Sequence, residues 1–559
     1  DLLPVERELR QREGVTILIF DQTCAAEKRR RRKRGLMSDP DKHLVINELV
    51  CEGCGDCSVQ STCVSIVPVE TEFGRKRAID HASCNKDYSC AKGFCPSFVT
   101  VRGVKLKKQG ARELPQHLQA VVDALPEVRG APNEQTCNIL IAGIGGTGVV
   151  TAGAMLAMAA HLEGRAASTL DLTGLSQKNG AVLSHIKIAS DPSKIEGPRI
   201  GVEQADLLVG CDLVVAVGAE AFASLSPSRS AAILNSHVAP TAAFQHAPDM
   251  QIDGEGLIEQ VSQRARRTPV VAIDAAAVAQ RFLGDAALAN VFLLGMACQL
   301  GLLPVSASAL ERAIELNGAA VASNKRALSL GRVAAVRQDL LMQSTNEGNP
   351  RAQSLQEIVD KRFKFLMEYQ DESYARSYSD FVDVVRTKEQ ALGEGEEFSK
   401  TVARNLFKLM AYKDEYEVAR LHLDPAFHAR IKDQFEGQPK LSFNLAPPVL
   451  TGRTPSKREF GSWILLVFGV LKAMRKVRGT VWDVFGYTSE RRMERRLVAE
   501  YRTLIVDLCR SLSAETYQGA IGVAAAAARI RGYGHVKLAS VNAHRQAVQA
   551  EIGVGRDDM

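Results

Sequence analysis

Seven of the chain's twelve cysteines are packed between Cys51 and Cys95, as Cys51-x2-Cys54-x2-Cys57-x5-Cys63 and then Cys84-x5-Cys90-x4-Cys95-Pro96. Thiols at this density point first to disulfide bridges or to bound metal. A disulfide framework belongs to short secreted domains, whereas this chain has 559 residues and an intracellular-looking composition. Metal is therefore the expectation. Three Cys at two-residue intervals wrap one loop around an iron–sulfur cube, whose irons require thiolates. Zinc usually takes two Cys pairs; structural zinc or plain buried thiols are the alternatives.

In two-cluster ferredoxins the fourth Cys of each motif crosses to the other cluster. On that pattern Cys51, Cys54, Cys57 and Cys95 hold one 4Fe–4S cluster. Cys63, Cys84 and Cys90 face a second, with Asp87 standing where its middle Cys belongs. The spacing predicts one cluster and opens a second. Cys24, Cys137, Cys211, Cys298 and Cys509 are scattered and read as buried free thiols.

The length suits about three or four domains. No apolar run reaches the ~20 residues of a membrane span, and no apolar leader is visible, so a cytoplasmic protein without membrane contact is expected. Gly14–Phe20 reads as a buried strand lacking its sheet. The Cys-rich segment covers 44–104, and a polar linker follows over 105–136. Residues 138–335 alternate strands with Ala-rich helices, which implies a mostly parallel sheet covered on both faces. Its strands are expected at Asn138–Ala142, Ala166–Leu172, Val182–Ala189, Leu213–Val217, Ala231–Asn235 and Pro269–Ile273. Beyond a linker at Asn346–Pro350 the pattern over 340–559 is helical. Trp463–Met474 reads as a core helix. The fold class is thus multidomain α/β and α.

Gly143-Ile-Gly145-Gly146-Thr-Gly148 lies between a predicted strand and a helix, as a dinucleotide fingerprint would. The acid expected about 20 residues on is poorly met by Asp171. A turn used for packing or for contact with another domain is the competing reading. Lys28–Arg34 supplies seven positive charges, without which the chain is near neutral. The run contains no aromatic residue and no nucleic-acid module follows it, so nucleic acid is not expected as a partner. A solvated face, or a clamp for a phosphorylated cosubstrate or an acidic partner, fits it better.

The Cys block, the Gly-Ile-Gly-Gly-Thr-Gly region with its Leu175–Lys187 loop, and Asn324-x2-Ala327-x3-Gly331 closely resemble the indolepyruvate branch of the 2-oxoacid:ferredoxin oxidoreductases. The resemblance implies that 1–37 is the tail of a thiamine-diphosphate domain and 44–104 a ferredoxin-like segment. It likewise makes 138–335 a gamma-type domain and 340–559 the helical extension of long fused bacterial forms. It implies oxidative decarboxylation of a 2-oxoacid to an acyl-coenzyme A, with electrons leaving through clusters to ferredoxin, in an assembly of two copies. Thiamine diphosphate and Mg²⁺ would be held by an N-terminal part, since no Gly-Asp-Gly motif leading to a metal-binding Asn is found here. Catalytic residues for decarboxylation are therefore not named. Gly143, Gly145, Gly146, Gly148 and Lys178 would form the domain interface or approach coenzyme A. The alternatives are an NAD(P)-dependent iron–sulfur oxidoreductase and a non-catalytic electron-transfer subunit.

Overall fold

Apolar residues flanking the cysteine loops pair into short strands. In the computed structural model, which describes residues 2–107, 113–128, 135–174, 180–239, 241–245, 247, 249–342, 353–393, 395–446 and 457–557, β1 (His43–Ile46) and β4 (Phe98–Leu106) run antiparallel, with Ile46 opposite Phe98. Between them β2 (Ile66–Thr71) and β3 (Gly74–Ile79) form a hairpin. Leu44, Ile46, Ile66 and Phe98 bury their side chains together with Cys51, Cys57, Cys90 and Cys95.

The expected α/β region forms a six-stranded sheet from β5 (Cys137–Ile144), β6 (Ala166–Thr173), β7 (Ala181–Ala189), β8 (Leu207–Gly210), β9 (Ala231–Asn235) and β10 (Val271–Ile273). The order is β10-β9-β8-β5-β7-β6. Pairings among β10, β9, β8 and β5 are parallel, and β7 is antiparallel to both neighbours, so β7 alone runs against the rest. Leu213–Val217 is not a strand. Asp212 caps a helix there by accepting a bond from the Val215 N–H at 2.9 Å, and Leu207–Gly210 takes the sheet position instead.

One face of the sheet carries the helices Val149–Leu162, Ala289–Gln299 and Val321–Val336. The last two cross at glycine. A Cβ on Gly331 would collide with the Phe292 carbonyl, and one on Gly295 with that of Leu328. The linker read over 105–136 contains a helix, Gln116–Asp123, whose Leu118 is fully buried in this core.

Residues 355–557 are mainly helical, around a core that includes Tyr369, Tyr378, Phe398, Leu406, Tyr501 and Ile505. The helix Leu355–Tyr369 begins with a capping box between Ser354 and Glu357. The purely helical reading needs correction, because β11 (Phe435–Leu445) and β12 (Arg458–Phe460) extend the first sheet to β1-β4-β11-β12. Phe443 faces Val99 across β4, and a bulge between Gly437 and Lys440 absorbs Pro439. Trp463–Met474 is a helix, Ile464–Ala473, that surfaces on one side: Ile464 and Phe468 are buried, Leu466 and Val470 exposed.

Gly14–Phe20 is not a strand. Among the described residues no strand pairs with it, and Val15, Ile17, Ile19 and Phe20 are exposed. The expected linker Asn346–Pro350 lies outside the described residues. No helix among the described residues is long and apolar enough to cross a membrane.

Candidate metal centre

The first cysteine loop is shaped by two glycines in the left-handed region, Gly53 at φ +68° and Gly55 at φ +82°. A side chain on Gly53 would strike the Arg75 carbonyl of β3, so the loop lies directly on the hairpin. Cys51 and Cys54 stand on this loop, and Cys57 opens the short helix Asp56–Ser61. Cys95 arrives from the distant end of the segment. Gly93 brings that end close, since a Cβ there would sit 3.0 Å from the Cys57 Cα.

The thiols fall into two groups. Burial pushes the Cys51, Cys54 and Cys57 thiols up, and the neighbouring Cys95 sulfur is the next cause in each case. Cys51 and Cys54 add to the effect on Cys57. Burial pushes Cys90 up to about 12, reinforced by Cys63, Cys84 and Asp87. Cys63, Cys84, Asp87 and Cys90 also line one half-open cavity together with His43, His81 and Tyr88. Asp87 Oδ1 accepts bonds from Ser89 N at 3.1 Å and Ser89 Oγ at 3.0 Å.

These surroundings suit iron–sulfur groups. All donors of the first set are thiols, and backbone N–H groups already point at sulfur: Gly53 to Cys51 at 3.3 Å, Lys86 to Cys84 at 3.4 Å. Crowded buried thiols resist ionisation on their own, and a cationic metal core removes that penalty. Among the described residues no three His, Cys, Asp or Glu side chains close on a single-ion position.

The helical region fastens onto the first set. Lys413 Nζ donates to the Cys51 carbonyl at 3.0 Å and pairs with Glu52 at 2.9 Å. Tyr533 donates to the Val50 carbonyl at 2.6 Å. The buried His422 bonds the Pro96 carbonyl at 3.0 Å through Nε2 and meets Asn47 Nδ2 at 3.3 Å through Nδ1. Burial holds its pKa down to about 4, so the ring is neutral. Lys457 Nζ reaches the Ala91 carbonyl at 3.1 Å, beside Cys90. Lys413, His422, Lys457 and Tyr533 carry no local sequence signal, because each acts across several hundred residues.

The glycine turn follows β5 and precedes the helix Val149–Leu162. Gly143 packs tightly, since a Cβ there would meet Val149 and Cys211 side chains at 2.7 and 2.9 Å. Gly145 N bonds the Gly180 carbonyl at 2.8 Å, and Asn290 holds the Thr147 carbonyl at 3.0 Å. Gly146 and Gly148 adopt φ +87° and +99°. Asp171 lies on β6, which β7 separates from β5, and accepts a 2.6 Å bond from Ser184 on β7. A ribose-binding acid would have to come from the strand next to the turn. Lys178 lies outside the described residues. Of the scattered thiols Cys137, Cys211 and Cys298 are buried, Cys509 is intermediate, and Cys24 is exposed, contrary to expectation.

Comparison with known proteins adds matches over two parts of the chain. Residues 138–334 match the family described as pyruvate ferredoxin/flavodoxin oxidoreductase, and residues 355–550 match a family of unknown function, DUF6537. The indolepyruvate oxidoreductase subunit IorB of Archaeoglobus fulgidus is 25% identical over 199 residues, covering 35% of this chain and 92% of the relative. Among solved structures, the pyruvate oxidoreductase subunit PORC of Thermotoga maritima is 20% identical, covering 35% of this chain and 96% of its own, with a TM-score of 0.26. The 2-oxoglutarate:ferredoxin oxidoreductase of Magnetococcus marinus is 16% identical, covering 36% and 32%, with a TM-score of 0.28. The match to the pyruvate ferredoxin/flavodoxin oxidoreductase family thus spans the α/β sheet and its helices.

Proposed function

We propose that this chain is the electron-transfer and gamma-type part of a 2-oxoacid:ferredoxin oxidoreductase acting on indolepyruvate or another aryl pyruvate. The overall reaction takes a 2-oxoacid, coenzyme A and two oxidised ferredoxins to an acyl-coenzyme A, carbon dioxide, a proton and two reduced ferredoxins. Thiamine diphosphate with Mg²⁺, held by domains outside residues 1–559, supplies the stabilised carbanion. The residues of this chain provide the electron exit. Cys51, Cys54, Cys57 and Cys95 hold one 4Fe–4S cluster; Cys63, Cys84, Cys90 and the Asp87 carboxylate hold a second. The helical region excludes water from the first set through Tyr533, Lys413 and His422.

The observation that carries this reading is the gathering of the thiols into two sets within one chain that also contains the oxidoreductase domain. One-electron carriers suit stepwise oxidation of a carbanion, whereas nicotinamide requires hydride transfer. The nicotinamide alternative also lacks its acid, because Asp171 is engaged with Ser184 one strand away from the turn. In this reading the glycine turn of Gly143, Gly145, Gly146 and Gly148, with Lys178, forms a domain interface or meets the phosphates of coenzyme A. The enzyme works as a pair of copies in the cytoplasm.

The test is anaerobic purification with iron and sulfide analysis and electron paramagnetic resonance. Cys54→Ser should abolish at least one cluster signal. Zinc without iron would overturn the metal assignment. Joined to its thiamine-diphosphate part, the chain should reduce ferredoxin with indolepyruvate and coenzyme A; alone it should not. Saturable NADH binding lost in Gly146→Asp would favour the nicotinamide reading.

A further inference from the structure

The basic run forms the helix Ala25–Lys33, and this helix lies on the loop that carries Cys84. Arg29 Nη1 donates to the Ala82 carbonyl at 3.2 Å and Arg32 Nη1 to the Asn85 carbonyl at 2.8 Å, bracketing Cys84 on both sides. Two arginines are thus spent on seating the helix. Arg30, Arg31 and Arg34 remain outward and exposed, with Glu27 as the acid near Arg30 and Arg31 at 3.7 and 3.1 Å. Around the same cavity Lys86 adds an ammonium, shared with Asp39 at 2.7 Å, and Lys42 lies 4.8 Å from the Tyr88 ring centre.

The two thiol sets differ in access. Three of the four first-set thiols, Cys51, Cys57 and Cys95, are buried, Cys54 is half-buried, and the helical region closes over them. In the second set only Cys90 is buried, whereas Cys63 and Cys84 are half-buried beside a half-open cavity. An electron that reaches the second set is therefore near the surface, beside the run of seven positive charges Lys28–Arg34. Outside Lys28–Arg34 basic and acidic residues nearly balance, so the field is local.

Resting on the electron-exit reading above, we propose that the helix Ala25–Lys33 is the docking surface for a small acidic one-electron carrier, and that the carrier takes its electron from the Cys63–Cys84–Cys90 set. The transfer moves one electron and no proton: the cluster is oxidised by one electron and the carrier reduced by one. Opposite charge on the two surfaces steers encounter and fixes orientation, raising association rates by about 10- to 1,000-fold at low salt. The steering fades as the screening length falls from about 10 Å at 0.1 M salt to about 3 Å at 1 M.

The experiment uses the full chain and an acidic two-cluster ferredoxin as probe, with binding measured by calorimetry and association by stopped flow at low and high salt. Reversing Arg30, Arg31 and Arg34 together to Glu should raise Kd at least tenfold at about 50 mM salt, with the difference collapsing at 0.5 M. Replacing the same three with Gln should give an intermediate loss. Reversing three exposed arginines elsewhere, Arg312, Arg376 and Arg510, applies the same change in net charge and should leave Kd unaltered. An unchanged Kd in the first variant overturns the proposal, as does an equal loss in the distant control. Loss of coenzyme A or duplex DNA binding with ferredoxin binding retained overturns it in favour of a phosphate site. Iron and sulfide analysis of the unaltered chain separates the two readings. A chain without iron fails the proposed function, whereas a loaded chain with unchanged ferredoxin affinity fails this inference alone.

Discussion

Asp414→Asn should leave a guanidinium buried without its counter-charge. Asp414 and Arg478 are 2% and 4% exposed and are joined by two bonds, of 2.6 and 2.8 Å. A third bond runs from Arg478 Nη1 to the Tyr369 carbonyl at 2.5 Å, and the guanidinium lies 3.7 Å from the Tyr369 ring centre. Such a pair is rigidly placed and shielded from water. Removing one partner of a buried pair costs about 3–5 kcal/mol, against about 0–1 kcal/mol for an exposed pair. The amide retains an oxygen for the helix cap to Glu417 N, now at 2.9 Å, so the loss reports mainly on charge. For a unit of this size each kcal/mol moves the midpoint by about 2–4 °C, which predicts a fall of roughly 6–20 °C. Scanning calorimetry of the full chain reads the transition. Near-ultraviolet circular dichroism assigns it, because Tyr369, Tyr374, Tyr412 and Tyr416 cluster around the pair. Adding Arg478→Met to the variant should recover part of the loss by removing the stranded charge. A fall below about 4 °C in Asp414→Asn would refute the reasoning.

His422 titrates near 4 in the fold against 6.5 when unfolded, so the unfolded state takes up the proton first. Its contribution is complete above pH 6.5 and declines as pH falls toward 4, by about 3 kcal/mol. Urea midpoints across that window should flatten in His422→Phe relative to the parent, and parallel slopes would discard the buried ring as the cause. Gly331→Ala would press a methyl against the Phe292 carbonyl and should cost about 1–3 kcal/mol or more. Gly469→Ala, in a helix with open space around it, should stabilise by about 0.4–1 kcal/mol; equal melting shifts would contradict the close crossing. Asp87→Cys should complete a four-thiol set and keep iron at about eight per chain after air exposure, where the carboxylate-held parent loses its labile iron and falls to about seven; iron at about four in both would mean that Cys63, Cys84 and Cys90 do not share a cluster.

Spacing along a loop limits which thiols can meet, and Cys95-Pro96 follows a known crossing pattern, which is why the sequence suggests a cysteine grouping at all. Strand positions in the α/β region were mostly legible too, since buried strands are continuous apolar runs bounded by glycine or polar residues. The reversal of β7 was not, because a buried strand shows the same composition in either direction. Leu213–Val217 misleads for a local reason: its β-branched residues favour a strand, and the Asp212 cap outweighs them. β11 hides for the opposite reason. It contains Gly437 and Pro439, and what makes it a strand is hydrogen bonding to β4, far back in the chain. The groups that fasten the helical region to the thiols share that difficulty.

The pairing of β4 with β11 has a consequence for synthesis. β4 leaves the ribosome about 330 residues before its partner, an interval of roughly 15–65 s at about 5–20 residues per second. For that time the edge of β4 is unpaired; of the groups that later enclose the first thiol set, Lys413 and His422 appear only near its end and Tyr533 after it. The α/β domain can fold in the meantime, as a complete sheet lying within the gap. The nascent cysteine loops meanwhile remain open to solvent, oxidants and stray metal. On the iron–sulfur reading proposed above, supply of iron and sulfide is best timed to the end of translation, and a chain stopped before residue 413 would carry all seven cysteines without Lys413, His422 or Tyr533 to enclose them.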